Sequence, residues 1–393
     1  MRADATNSLL PDGLRDVVPP AAAHESAVLR GLLDHFHAQS FQRVDPPLVE
    51  FEDSLLSGPG AATAAHTFRL MDPVSQRMMG VRADMTVQVA RIAVSRLAKQ
   101  PRPLRLSYAG QTLRVRGAQL RPERQVTQAG CEIIGATSPA ADAEVIALAA
   151  NALSATGVTG LSVDIALPTL APQLFEALAL DGQTRANARA ALDRRDAAAI
   201  RDLGGEAARL FGALLDASGR ADGALSALQA IDGLPSDGAA EIARLSAVLP
   251  RLAASVPDLA VTVDAVERRG FEYQSGLSFT LFAKGVRGEL GRGGRYHAGA
   301  GIKGPDDAGE PATGFSLYLD SVMRGVPGAR AEQRCFLPSD HDPESGRRLR
   351  AAGWITLAGL EPVGDIAAEA KRLGCTHFIN TADGEHAVPH RIP

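Results

Sequence analysis

The segment Arg114-Val-Arg116-Gly117, with Arg121-Pro-Glu-Arg124 behind it, leads into Gln128-Ala-Gly-Cys-Glu132-Ile-Ile-Gly135. Apolar and polar residues alternate on both sides of this basic turn, which predicts two strands around a flexible cationic loop. Gln128 and Glu132 are an even number of residues apart, so both side chains are predicted to point from one strand face into the same cavity. A carboxylate and an amide in that position suit a cationic or hydrogen-bonding ligand better than they suit a core.

Composition limits the kind of protein. The 393 residues predict two or three domains with a large core. Charged residues interrupt the long apolar runs and the first residues are polar, so we expect no membrane helix, no signal peptide and a cytosolic location. Cys131, Cys335 and Cys375 match neither a disulfide framework nor a zinc spacing. The net charge of −4 gives no broad basic field, which mildly disfavours a nucleic-acid partner, since a local basic patch can exist on an acidic protein.

The first third of the chain has the pattern of a helix followed by short strands. Val28, Leu32 and Phe36 recur four residues apart, which predicts an amphipathic helix ending near residue 40. Asp84 and Thr86 precede a second helical pattern, and their oxygens can cap its free N–H groups. As a local interpretation, such a cap is favoured over a ligand-binding role. The patterns in this part of the chain predict strands at 41–44, 67–70 and 78–81 and a helix at 87–97.

The rest of the chain predicts an inserted helical region and a small tail. A helix is expected at 140–155, and the Ala-, Leu-, Arg- and Asp-rich stretch 169–255 predicts an insertion of four or five helices. The remaining patterns predict strands at 163–167, 261–263, 277–282 and 287–290, a final helix at 315–323 and a βαβαβ tail. We therefore expect a large domain at 1–327 and a small C-terminal α/β module at 328–393.

A third informative stretch is Arg268-Arg269-Gly-Phe-Glu-Tyr273-Gln274-Ser-Gly276, followed by Gly291-Arg-Gly-Gly294-Arg295-Tyr296-His297. Taken alone, the glycine run predicts a hairpin turn, because glycine permits the backbone angles that turns require. It is not a dinucleotide-binding fingerprint, since no βαβ unit surrounds it.

These stretches, in this order, resemble the histidyl-tRNA synthetases, a family of class II aminoacyl-tRNA synthetases. The resemblance covers most of residues 9–325. The segment around Pro47 is similar to the first class II motif, which builds the dimer interface in that family, and 114–135 is similar to the second. The resemblance implies an α+β fold, with an antiparallel sheet flanked by helices, the helical insertion and the C-terminal module. It also implies self-association as a dimer.

The resemblance implies a weakened apparatus for activating an amino acid with ATP. Class II enzymes hold the phosphates with one arginine of the second motif, which Arg114 matches, and another in the helix of the third motif. Ser321 stands at the position of that second arginine, and a hydroxyl cannot make a bidentate phosphate contact. Arg116 replaces a second-motif acid, and His297 replaces an aspartate. We therefore expect no catalytic residues, no metal and no cofactor.

The amino acid pocket matches the family better. Asp84 and Thr86, with Gln128 beside them, match the positions that meet the α-amino group. Glu132 matches the residue that faces the imidazole, and Arg269 matches the arginine that approaches the carboxylate. A Tyr-Tyr pair becomes Tyr273-Gln274, and glutamine can still bond a ring nitrogen. The expected histidine-binding set is Asp84, Thr86, Arg114, Gln128, Glu132, Arg269, Tyr273 and Gln274.

A histidine pocket without activating residues is similar to the synthetase-like regulatory subunits of ATP phosphoribosyltransferase. That resemblance implies a short-form catalytic subunit as partner, a requirement of that subunit for this chain, and feedback inhibition by free histidine in histidine biosynthesis. Two alternatives remain open. One is a histidyl-tRNA synthetase with a divergent third motif. The other is a synthetase-like ligase that joins an amino acid to some other acceptor, or a stand-alone binding protein.

Overall fold

The computed structural model of the chain describes residues 9–117, 121–267, 274–301, 307–329, 332–381 and 388–392. The chain divides into two compact units, Met1–Pro327 and Gly328–Pro393. The described strands are β1 Gln42–Arg43, β2 Val49–Phe51, β3 Phe68–Met71, β4 Met78–Val81, β5 Leu104–Leu113, β6 Gln125–Ile134, β7 Leu161–Ala166, β8 Gly219–Arg220, β9 Ala260–Asp264, β10 Ser278–Ala283, β11 Gly291–Ala298, β12 Glu310–Tyr318, β13 Arg334–Leu337, β14 Ile355–Ala358, β15 His377–Phe378 and β16 His390–Arg391.

The described strands of the first unit form a nine-stranded sheet and a three-stranded sheet. The order in the large sheet is β1-β5-β6-β12-β11-β10-β7-β9-β8, and that in the small sheet is β2-β4-β3. Only the pairs β1–β5 and β7–β9 of the described large sheet are parallel, so its centre is antiparallel. β5 and β6 are paired over their full length, from Leu104 opposite Ile134 to Leu113 opposite Gln125. This confirms the strand pair predicted on either side of the basic turn.

Helices cover the sheet and form the insertion. Six helices, α5 to α10, lie between β7 and β9 and are joined there by the short strand β8, where the sequence predicted four or five. The described α-helices are α1 Ala21–Ala38, α2 Glu52–Leu55, α3 Thr86–Ser95, α4 Pro139–Ala155, α5 Leu170–Ala177, α6 Gly182–Arg194, α7 Ala197–Asp202, α8 Gly205–Asp216, α9 Ala221–Gln229, α10 Ser236–Ser255, α11 Leu319–Gly325, α12 Pro343–Ala351 and α13 Ile366–Arg372; a 3-10 helix spans Gly58–His66.

The core of the first unit lies on both faces of the large sheet. On one face, α1 buries Val28, Leu32 and Phe36, as its four-residue spacing predicted. The ring of Phe36 meets that of Phe315 edge-on at 5.6 Å, and the apolar helix α4 packs beside it. On the other face, α3 packs with Tyr108 and other residues of the sheet in a separate cluster. The candidate site lies on this second face.

Three local predictions for the central sheet were wrong. The run Gly291–Gly294 was predicted to be a turn, but it begins strand β11. Residues 315–318 were predicted to be helical, but they complete β12, and α11 starts only after them. The glycines are needed for close approach, since a Cβ at Gly293 would collide with the carbonyl oxygen of Gly314 on the neighbouring strand. The strand predicted at 287–290 is not formed, because that stretch is the connection that leads into β11.

The second unit has its own four-stranded sheet in the order β14-β13-β15-β16. β13 is parallel to both β14 and β15, and β16 is antiparallel to β15. Cys335, Leu337 and Leu349 form one small core cluster, and Phe336 and Ala370 belong to another. In the part of the chain that the structure describes, no helix combines the length and the apolar character needed to cross a membrane.

Candidate functional site

A large cavity in the first unit opens on the face of the sheet that α3 covers. Its volume is about 540 Å³, which is within the range of small-molecule sites. The strands β6, β11 and β12 form its floor with Glu132, Tyr296 and Ser316. The start of α3 forms one wall with Asp84 and Thr86, and the side chains of four arginines also line the cavity. We call the part around Glu132 and Asp84 the acidic end of the cavity, and the part around the arginines its basic end.

Glu132 is the central residue of the acidic end. It is 1% exposed, and it has no cationic partner among the described residues. The hydroxyl of Tyr296 donates to its Oε2 at 3.0 Å, and that of Tyr108 donates to its Oε1 at 3.2 Å. Burial raises the pKa of Glu132 to about 8, and the nearby carboxylate of Asp84 contributes to the rise. At neutral pH the carboxyl group of Glu132 is therefore mostly protonated.

Tyr108 connects Glu132 to the rest of the acidic end. Its hydroxyl lies 2.8 Å from Oγ of Ser316 and 3.2 Å from Oγ1 of Thr86. Burial raises the pKa of the Tyr108 phenol well above its usual range, so it remains a hydrogen-bond donor at physiological pH. Tyr108 lies opposite Gly130 across the β5–β6 pair, and a Cβ at Gly130 would collide with its ring and hydroxyl. The glycine midway between Gln128 and Glu132 thus leaves room for this phenol.

Gln128 supports the cavity wall and does not line the cavity. Its Oε1 accepts the backbone N–H of Met85 at 2.9 Å. Its Nε2 donates to Oδ2 of Asp84 at 2.8 Å and to Oγ of Ser316 at 2.5 Å. The prediction that Gln128 and Glu132 point into one cavity is therefore correct for Glu132 only, because the start of α3 covers Gln128. The amide holds Asp84 in place and has no remaining donor for a ligand.

Asp84 and Thr86 are placed both to cap the start of α3 and to contact a ligand, the two roles considered from the sequence. Oδ1 of Asp84 accepts the N–H of Thr86 at 2.8 Å, so the aspartate supports the first turn of α3. Both residues also line the cavity. A carboxylate already oriented by an amide and a helix N–H is well placed to receive an ammonium group without further ordering.

The basic end contains Arg114, Arg116, Arg121 and Arg292. Arg121 stacks 3.8 Å above the ring of Tyr318 and forms an ion pair of 2.9 Å with Glu289, a residue that also binds Arg292. The guanidinium of Arg114 makes a long contact, 3.4 Å, to the carbonyl oxygen of Ala83 and lies over the ring of Tyr318 at 5.9 Å, and neither Arg114 nor Arg116 has a carboxylate partner in the described ranges. These two guanidinium groups can receive an anion from a ligand.

The remaining predicted residues have different positions. Gln274 lines the cavity, and its Oε1 is buried without a hydrogen-bond partner among the residues described. Arg269 and Tyr273 lie outside the described residues. Ser321 is completely buried in α11 and does not line the cavity. His297 is on the exposed side of β11. No group of His, Cys, Asp and Glu in the described parts of the chain is arranged to hold a metal ion.

Comparison with known proteins gives consistent results. The family model described as "Histidyl-tRNA synthetase" matches residues 13–322. An ATP phosphoribosyltransferase regulatory subunit from Rhodospirillum centenum is 54% identical over 371 residues, with 94% of each chain covered. The solved structure of an ATP phosphoribosyltransferase regulatory subunit/histidyl-tRNA synthetase from Bacillus halodurans C is 22% identical, with a TM-score of 0.78 and coverage of 94% of this chain and 97% of that one.

A histidyl-tRNA synthetase from Nostoc sp. PCC 7120 also superimposes with a TM-score of 0.78, at 17% identity, over 95% of this chain and 91% of its own. At such identities the two solved structures show the shared fold alone. The high identity over nearly the full length is with the regulatory subunits. The chain therefore belongs to the family of ATP phosphoribosyltransferase regulatory subunits, whose fold is that of the histidyl-tRNA synthetases.

Proposed function

We propose that this chain is the histidine-sensing subunit of an ATP phosphoribosyltransferase, that it has no catalytic activity of its own, and that its cavity binds free histidine. Glu132 carries the ligand assignment. A buried carboxyl group with no cationic partner among the described residues is costly unless a ligand compensates for it, and Glu132 lies on the floor of an open cavity. A ligand with a basic ring is the natural complement.

Free histidine matches the cavity at each of its polar groups. Once its ring has taken up the proton of Glu132, both ring N–H groups can donate, one to the Glu132 carboxylate and one to Oε1 of Gln274, which has no partner among the described residues. Its α-ammonium group can bind Asp84 beside Thr86, and its carboxylate can bind Arg114. In this proposal Gln128 acts through Asp84. Arg269 and Tyr273 remain part of the proposed set on the resemblance alone.

The same geometry argues against amino acid activation. Adenylate formation needs cationic groups around the transferring phosphorus. Ser321 is neutral and buried away from the cavity, and His297 faces outward. We expect no histidine-dependent exchange between ATP and pyrophosphate. The Ser321→Arg variant alone should remain inactive, because Arg116 and His297 also depart from the synthetase pattern. Robust exchange by the unmodified chain would favour the divergent synthetase.

The proposal includes a cytoplasmic complex with a short-form catalytic subunit and self-association as a dimer through the segment around Pro47. Leu48, which is 47% exposed, lies next to Pro47. Leu70, Met71 and Met78 of the adjoining β3–β4 hairpin are also exposed. Exposed apolar side chains gathered on one small sheet favour an interface with a second copy. A monomeric mass in light scattering at micromolar concentration would contradict the dimer.

Titration calorimetry without ATP tests the ligand assignment. Wild-type protein should bind histidine, and Glu132→Ala should bind it roughly ten- to a hundredfold more weakly, since a hydrogen bond to a charged group is worth about 1.5–3 kcal/mol. Glu176→Ala is the matched control, because that acid is exposed on α5, outside the cavity. If wild-type protein shows no binding, or if Glu132→Ala binds as tightly as wild type, the assignment is wrong.

A further inference from the structure

A second cluster of charged residues lies outside the cavity, where three elements meet. Asp142 of α4 is completely buried between Arg295 of β11 and Arg244 of the insertion helix α10. Nε of Arg295 is 2.8 Å from one carboxylate oxygen of Asp142, and Nη1 of Arg244 is 3.0 Å from the other. The remaining donors of Arg295 bind the carbonyl oxygens of Ala136 and Ser138 at 2.9 Å. The cluster ties the insertion to the sheet.

Glu241 extends the cluster from α10 to the chain that borders the cavity. It lies three residues before Arg244, and the backbone N–H of Leu277 donates to its carboxylate. Its Oε1 is so close to Gly276 that a Cβ there would lie 3.2 Å away. Its Oε2 is buried without a hydrogen-bond partner in the described part of the chain. Burial raises the pKa of Glu241, so this contact is made at a cost.

The segment contacted by Glu241 also forms part of the cavity. Residues 274–277 carry Gln274, which lines the cavity. The N–H of Ser275 donates to the carbonyl of Arg295 at 2.9 Å, and the N–H of Arg295 donates to the carbonyl of Leu277 at 2.9 Å. Arg295 thus fixes the segment with its backbone and enters the buried cluster with its side chain. Its neighbours Gly294 and Tyr296 line the cavity.

We propose that Glu241 and Arg244 are positioning residues for the cavity: they hold the segment 274–277 and strand β11 against α10, so that ligand occupancy and the position of the helical insertion are coupled. This inference rests on histidine being the ligand, as proposed above. Neither residue lines the cavity, and each acts through a neighbour, Glu241 through Leu277 and Arg244 through Asp142 and Arg295. Because coupling is reciprocal, loosening α10 weakens binding, and binding steadies α10.

The test combines calorimetry with hydrogen exchange of the full-length chain. Glu241→Gln and Arg244→Gln should each weaken histidine binding about tenfold, because the first replaces a charge-assisted hydrogen bond by a neutral one and the second removes the cation that binds Asp142. In wild type, histidine should slow exchange in peptides covering 236–255 and 274–283. In Glu241→Gln at saturating histidine, protection should persist around α3 and be lost in 236–255. Arg244→Lys, which keeps the charge, should recover part of the affinity.

The controls separate positioning from plain destabilisation. Asp237→Asn and Arg251→Gln change exposed residues of the same helix and should leave affinity and protection unchanged. If Glu241→Gln does not fold, Gly276→Ala can replace it. This variant keeps Glu241 but places a methyl group against its Oε1, and it should lose the same histidine affinity and protection. A purely structural role would lower the melting temperature without changing the affinity measured well below it, and that result would overturn the inference.

Failure of the proposed function would look different. If wild-type protein did not bind histidine at all, the ligand assignment would be wrong. Hydrogen exchange of the ligand-free protein would then test whether Glu241 holds the segment 274–277 in place. Glu241→Gln should then still speed exchange in 274–283 relative to Asp237→Asn. Equal exchange in the two variants would reject the positioning role itself.

Discussion

At the scale of single residues, Glu132 connects the fold to the proposed ligand. Two tyrosine hydroxyls satisfy its oxygens as neutral donors, but neither supplies the positive charge that a carboxylate needs when it is buried. The raised pKa of about 8 is the physical consequence. An incoming imidazole can accept the proton of Glu132, and the buried pair then becomes an imidazolium and a carboxylate in direct contact.

This proton transfer predicts how histidine affinity depends on pH. The pKa of an unperturbed imidazole is about 6.5. Below that pH the ring of free histidine and the carboxyl of Glu132 each carry a proton, whereas the imidazolium–carboxylate pair of the complex carries only one. Binding then releases a proton, so affinity falls about tenfold per unit of falling pH. Between about pH 6.5 and about pH 8, binding only moves the proton from Glu132 to the imidazole ring, so the affinity does not depend on pH. Above about 8 the complex must take up a proton, so affinity falls again as pH rises.

Calorimetry at a series of pH values checks this prediction, with Glu132→Gln as the control. The amide does not titrate, so the variant should lack the decline that begins near pH 8 in wild type. Deprotonation of the ligand's own α-amino group affects both proteins alike and cancels in the ratio of their affinities. A ratio that stays constant from pH 7 to pH 9 would show that Glu132 does not hold the transferred proton.

At the scale of elements, strands β6, β11 and β12 bring the site together, and close approach between them depends on glycine. Gly314 lies opposite Glu132 in the β12–β6 pair. A Cβ at Gly314 would overlap Oε2 of Glu132 and would lie 2.5 Å from the carbonyl oxygen of Cys131. The glycine therefore creates the space in which the buried carboxyl lies, and it belongs to the site although it offers no functional group.

Gly314→Ala should abolish histidine binding and lower the melting temperature, because both the carboxyl and a strand backbone would have to move. Gly212→Ala is the matched control. Gly212 lies inside α8, and a Cβ added there would have no neighbouring atom within 4 Å, so alanine should stabilise the protein by about 0.5–1 kcal/mol. Thermal unfolding and calorimetry measure both effects. Normal binding by Gly314→Ala would show that the cavity floor can accommodate a methyl group at this position.

The same elements show what the sequence could and could not predict. Alternation around the basic turn predicted the β5–β6 pair, and the four-residue spacing of α1 predicted that helix, since one buried face determines its pattern. Helix α4 was also predicted, although it is buried on nearly all sides. The run Gly291–Gly294 was misassigned because glycine serves both turns and close strand contacts, and only the neighbouring strand distinguishes them. Phe315–Tyr318 was misassigned because a fully buried strand loses its alternation.

The candidate site was predictable in the same partial way. Glu132, Asp84, Thr86, Arg114 and Gln274 all line the cavity. The roles of the two tyrosines, Tyr108 and Tyr296, and of Ser316 were missed, because they depend on which strands are neighbours and in what register. The spacing of Gln128 and Glu132 predicted correctly that both lie on one face of β6, but it could not show that the first turn of α3 would cover Gln128.

At the scale of the whole molecule, a sensor must have two arrangements that its ligand distinguishes, since equal affinity for both shifts nothing. The cavity lies on one face of the large sheet and α4 packs on the other, with α10 of the insertion against it. Strand β11 contributes to both faces, through Tyr296 on one and Arg295 on the other. In the proposed function, histidine bound on one face can therefore influence helices on the opposite face without direct contact.

The complex with the catalytic subunit tests the regulatory role directly. Mixed with a short-form ATP phosphoribosyltransferase from the same organism, this chain should co-elute with it, raise its activity and make it sensitive to histidine. Asp84→Ala should still co-elute, but its half-inhibitory histidine concentration should rise about tenfold or more, because one charge-assisted contact with the α-ammonium group is lost. Each complex is compared with its own rate without histidine. Co-elution without any effect on activity, or unchanged inhibition of the Asp84→Ala complex, would separate this cavity from feedback control.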